Sequence, residues 1–164
     1  MKTFNIDDKV VYRTKGVCVI VDIVKRTFSG TEEKEYYVCE SIDAGHYRSF
    51  VPTDSEAASQ MKRVPAPGQI DSIISAAAER DAAYIEDRKQ RETYYAEAER
   101  RGDETELLCI YGMLEKRRAG SAKMPASDVR MMAYIERAIG EEFSVGLGIP
   151  KNEVCAYIRS RFDK

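Results

Sequence analysis

The hydrophobic pattern changes period once, and that change sets what the chain can fold into. Up to about Val64 the apolar residues come in short β-branched and aromatic runs: "KVVYRT", "VCVIVDIVKRTF", "KEYYVCES" and "YRSFVP". Such runs, separated by "SGTEEK" with Gly30 and by "DAGH" with Gly45, predict four or more short strands in a strongly bent antiparallel sheet or barrel. The stretch "VPAPGQ" then breaks the pattern with Pro65, Pro67 and Gly68. Beyond it Ile70, Ile73, Ile74, Ala77, Asp81 and Tyr84 follow a helical i, i+3, i+4 stripe. The chain therefore reads as α+β: a small antiparallel β domain over residues 1–64, a linker at 65–69, and an all-α bundle of about five helices over 70–164.

Local signals divide the second half. A polar helix is expected from about Ile85 to Arg101 with Tyr94, Tyr95 and Ala98 inward, closed by Gly102 in a left-handed cap. Asp103 can cap the next helix, with Glu106 completing a capping-box-like pair and Leu107, Ile110, Tyr111 and Leu114 on its buried face. A fourth helix starts near Ser127 with Val129, Met132, Ile135 and Ile139 inward. In the fifth, Pro150 fits the first turn, and Val154, Tyr157, Ile158 and Phe162 face the core.

Composition narrows the function classes. The 164 residues carry a net charge of −2, and neither half has a basic excess, so any contact with nucleic acid must come from local clusters. No stretch approaches the roughly 18 apolar residues of a membrane span, and the start "MKTFNIDDKV" lacks the apolar region of a secretory signal, which argues for the cytoplasm. Cys18, Cys39, Cys109 and Cys155 form no CxxC pair, and the chain has a single histidine. They read as small apolar residues and not as a metal site, and no cofactor is expected. No phosphate loop, nucleophile elbow or HExxH helix occurs, and His46 sits in the polar turn "DAGHYR". An enzyme is not expected, nor is a small-molecule substrate.

The ordered elements "FNIDDKVVYRTKG", "KEYYV", "FVP" and Arg101-Gly102-Asp103, with "MPASDVRMMAYIERAI" beyond, carry a resemblance. From Phe4 to about Phe143 the chain resembles the CarD/CdnL group of bacterial RNA-polymerase-binding transcription regulators. The resemblance implies a Tudor-like N-terminal domain that docks on the polymerase β subunit, partly by strand pairing. It also implies a helical domain that touches promoter DNA and stabilises the open complex. Such a protein is associated with the nucleoid through the polymerase.

The same resemblance implies candidate residues. Arg26, after Lys25 at the end of the long strand, matches an arginine that contacts polymerase. A second such arginine usually stands where this chain has Phe50, and Arg48 lies two residues earlier on the same strand face. The family commonly wedges a tryptophan into the minor groove fourteen residues before the glycine of "GD", and here that position is Arg88. Arginine enters a narrow groove by charge and lacks the stacking surface of a wedge. The basic residues left for DNA are Arg88, Lys89 and Arg91, and Lys116, Arg117, Arg118 and Lys123. Two readings stand: a promoter-acting regulator, or a polymerase-binding adaptor without productive DNA contact.

Overall fold

The computed structural model describes residues 3–12, 15–30, 32–43, 45–120 and 123–163. The chain divides into two compact units, Met1–Val64 and Pro65–Lys164.

Among the described residues of the first unit, five antiparallel strands lie in the order β4-β3-β2-β1-β5. They are β1 (Lys9–Tyr12), β2 (Gly16–Arg26), β3 (Lys34–Ser41), β4 (Arg48–Pro52) and β5 (Lys62–Arg63). Gly16 re-enters the sheet opposite Tyr12 with φ 72°, a left-handed conformation that favours glycine. The Arg13-Thr14 part of the expected turn, like Thr31 and Ala44 in the other two connections, lies outside the described residues.

The almost unbroken apolar run of β2 has a physical reason. Its register against β3 shifts between Ile20 and Asp22, and the extra residue moves the core-facing positions from even to odd numbers, so apolar residues are needed at both parities along the strand. Before the bulge Cys18 and Ile20 face the core. After it Ile23 pairs with Tyr37 on the core side, while Asp22, Val24 and Arg26 take the outer face.

A five-residue helix, α1 (Glu56–Gln60), was not evident in the sequence. The Ser55 hydroxyl caps it by accepting from the Ala58 N–H at 3.1 Å, and Ala58 and Met61 enter the core with Phe4, Val10, Ile20, Cys39 and Val51. The chain then returns as β5 beside β1.

The second unit is helical: α2 (Pro67–Ala78), α3 (Arg88–Arg101), α4 (Glu104–Ala119), α5 (Ala126–Leu147) and α6 (Lys151–Phe162). The fold is thus α+β, with six helices among the described residues because α1 joins the five expected. The caps around Gly102 form as the chemistry predicts. Gly102 has φ 63° and donates to the Ala98 carbonyl, and the Asp103 carboxylate accepts from the Glu106 N–H at 2.7 Å. The Glu106 carboxylate turns instead to Arg101, at 2.8 and 3.0 Å, which holds its pKa below the ordinary value.

Four helix expectations are corrected. α2 begins at Pro67 and stops at Ala78, so Asp81 and Tyr84 lie in an irregular segment, although Tyr84 still packs on the core. α3 starts at Arg88, where Asp87 caps it, and not at Ile85. In α5, which begins at Ala126, Val129 is 54% exposed, because the buried stripe runs through Asp128, Met131, Met132, Ile135 and Ile139. Val129 sits one residue, about 100° of helix, from Asp128 on that stripe. Pro150 is the cap residue of α6 and Lys151 its first helical residue. Among the described residues, no helix is long and apolar enough to cross a membrane.

Candidate functional site

The outer face of the β sheet gathers most of the candidate residues of the first unit. Cross-strand partners share a face, and the pairs Arg26 with Lys34, Val24 with Tyr36, Tyr36 with Pro52, Val38 with Phe50 and Glu40 with Arg48 place all of these on one side. Lys25 pairs with Glu35 on the other side. The structure therefore brings Arg26, Arg48 and Phe50 to one face and sets Lys25 apart.

Two groups on this face were missed in the sequence. Phe28, 56% exposed, meets Tyr36 at 4.9 Å and Phe50 at 5.1 Å between ring centroids, both edge-on. Phe50 is itself 43% exposed, so the three rings form an exposed aromatic patch. Lys34 stands directly across from Arg26. Like charges so placed repel, and a carboxylate from outside would relieve them. Neither Arg26 nor Lys34 forms an ion pair with a described residue. Arg48 is engaged: it donates to Glu40 at 2.8 Å, with His46 3.6 Å from the same carboxylate.

β4 is also a sheet edge, since among the described residues it pairs only with β3. The bonds from Ser41 N–H to the Tyr47 carbonyl and from Thr53 N–H to the Glu35 carbonyl set the phase of the ladder. By alternation, the N–H and C=O groups of Arg48 and Phe50 point away from β3, to the open side.

The helical unit is organised around a buried acid. Asp128 is 0% exposed and accepts from Arg91 Nε at 3.0 Å, Tyr84 Oη at 2.8 Å and Tyr95 Oη at 3.1 Å. Arg91, only 4% exposed, also donates to the carbonyls of Ile85 and Glu86 at 2.9 and 3.1 Å. Burial, then the bond to Asp128, pushes the Tyr84 phenol above its ordinary pKa, and burial with the neighbouring Asp128 does the same for Tyr95. This network ties the irregular segment after α2 to α3 and α5.

Arg91 must therefore be withdrawn from the DNA-facing set, because its guanidinium is spent inside the unit. The same network has a second effect. Arg117 stacks on Tyr84 at 3.5 Å while Arg91 lies 5.0 Å from that ring. The start of α3, the end of α4 and the start of α5 thus meet around Tyr84. Arg88, Lys89, Lys116 and Arg117 come to one end of the unit, with Lys123 exposed in the connection entering α5. Arg88 pairs with Glu92 at 3.0 Å and Arg118 with Glu115, whereas Lys89, Lys116, Arg117 and Lys123 form no ion pair with a described residue.

Among the described residues, no group of three or more His, Cys, Asp or Glu side chains is placed to hold a metal ion. Cys18 and Cys39 are buried and Cys109 and Cys155 half-buried. Burial, with Cys18 adjacent, pushes the Cys39 thiol up to about 12.

Residues 4–64 match the CarD-like/TRCF RID domain. Over these residues the first unit is similar to the CarD-like/TRCF RID domain. This domain family binds the RNA polymerase β subunit and is non-enzymatic, so an RID domain here implies an RNA-polymerase-interacting protein. The match ends with the β unit, and the resemblance read in the helical half lies beyond it. A search of curated proteins found no match.

Proposed function

We propose that the protein is a transcription regulator that adds the open edge of β4 to a strand of the polymerase β subunit and touches promoter DNA with one end of its helical unit, modulating open-complex stability. The observation that carries the reading is the coincidence, on one face of the RID domain, of an open strand edge, an exposed aromatic patch and the Arg26–Lys34 pair. Strand addition supplies backbone hydrogen bonds, the rings supply apolar area, and a guanidinium that can fork onto a carboxylate supplies register. The test is affinity of the full chain for the isolated β-subunit lobe. Arg26→Glu should weaken it, and an unchanged affinity would overturn the anchor assignment.

DNA contact rests on the gathering of Lys89, Lys116, Arg117 and Lys123, with Arg88, at one end of the helical unit. A few phosphate contacts bind free duplex weakly, but tethering through the RID domain raises their effective concentration to roughly millimolar. The adaptor reading has its own support. Arg91 is buried, and Arg88 and Arg118 are engaged by neighbouring carboxylates, which leaves a small set of cations in a unit with no basic excess. Open-complex lifetime separates the two.

A further inference from the structure

The helical unit holds a cleft whose rim shares Lys116 and Arg117 with the proposed DNA contact and whose apolar interior neither reading uses. It lies between the end of α2, the outer half of α4 and the end of α6, and has a volume of about 540 Å³, within the range of pockets that take small molecules. Its apolar lining is Ala77, Leu108, Cys109, Gly112, Met113 and Phe162. Gly112 keeps it open: a Cβ there would meet only the Phe162 ring, at 3.7 Å, so any longer side chain would extend into the cleft. The Cys109 thiol donates to the Ala77 carbonyl at 3.6 Å, and burial raises its pKa, so it stays neutral and behaves as apolar lining.

The rim is charged and mostly cationic. Arg80, Lys116 and Arg117 line it without forming an ion pair with a described residue, while Glu115 is already held by Arg118 and, at 3.3 Å, by Arg159. Asp81 and Asp163 are the remaining acidic groups of the lining. Arg117 lies with its guanidinium 3.5 Å over the Tyr84 ring, an orientation in which its N–H edges can fork onto a phosphate or carboxylate.

We propose that this cleft binds a small amphipathic anion, its apolar body between α2, α4 and α6 and its single anionic head on Arg117, Lys116 and Arg80. The full chain, without polymerase or DNA, is titrated by calorimetry with decyl phosphate below its micelle concentration, and with decanol as the neutral counterpart. Saturable one-to-one binding of decyl phosphate, at least tenfold tighter than decanol, is expected. Gly112→Leu should abolish it with the far-ultraviolet circular dichroism unchanged. The double variant Arg80→Gln, Lys116→Gln should weaken decyl phosphate at least tenfold and leave decanol binding as it was. Bound ligand should also slow alkylation of Cys109. The proposal is overturned by any one of three results: no saturable binding, equal binding of decanol, or full binding by the double variant. It is equally overturned if Gly112→Leu lowers affinity for the β-subunit lobe while the wild type binds no decyl phosphate, which would make the cleft a protein-docking surface.

Discussion

At the scale of single residues, exposure and partnership separate side chains that look alike in the sequence. Arg26 and Lys25 are adjacent, yet strand alternation puts only Arg26 on the face with the aromatic patch and the open edge. Arg26→Glu is predicted to cost at least tenfold in affinity for the β-subunit lobe, about 1.4 kcal/mol or more, while Lys25→Glu changes it little. Surface plasmon resonance on both variants checks this, and equal effects would remove the face assignment. Arg91 and Arg88 make the opposite contrast. Removing one partner of a buried pair strands the other, so Arg91→Ala or Asp128→Ala should destabilise the helical unit by about 3–5 kcal/mol. Arg88→Ala, at an exposed site, should stay within about 0.5 kcal/mol. Denaturant midpoints decide between them, and a mild Arg91→Ala would contradict the hub described around Asp128. Nothing in the neighbourhood of Arg91 announces its role, because its partner lies 37 residues away and is chosen by packing. The chain around it offers only a basic helix start, which reads equally well as a phosphate contact.

At the scale of elements, what was legible is what local chemistry decides. Gly102 and Asp103 need no distant partner to end one helix and start the next, and "VPAPGQ" separates two hydrophobic periods by itself. What was not legible depends on register and packing. The β2 bulge shows only once the partner strand is in place. α1 is too short for a periodic signal. Val129 looks apolar in the sequence, but the position next to it, Asp128, is the one the fold buries. The same register makes a prediction about β4. Its N–H at residue 50 points away from β3, so proline there removes a donor that the sheet does not use and strand addition would. Phe50→Pro should therefore lower affinity for the β-subunit lobe more than Phe50→Ala does, with the thermal transition of the first unit retained. Equal losses would mean that the aromatic patch, and not the edge, makes the contact.

At the scale of the whole molecule, the proposed function needs a β unit that binds polymerase and a helical unit whose own affinity for DNA is weak. Replacement of Arg88, the exposed first residue of α3, by tryptophan supplies the stacking surface that the wild type lacks. Arg88→Trp is predicted to lengthen open-complex lifetime relative to the wild type, and a lifetime unchanged by it would argue that this end of the unit does not reach the unstacked step. Because the contacts are to phosphate, the wild-type effect should also shrink as salt rises.

The most direct test of the proposed function is the lifetime of the open promoter complex with this chain at saturating concentration. It is measured for the wild type and for a variant with Lys116, Arg117 and Arg118 changed to alanine. The variant's affinity for the β-subunit lobe is measured in parallel. The account predicts that the wild type changes the lifetime and that the triple variant binds the lobe equally well but loses most of the change. A triple variant that binds the lobe and alters the lifetime as fully as the wild type would contradict the DNA-facing role of the helical unit and leave the adaptor reading.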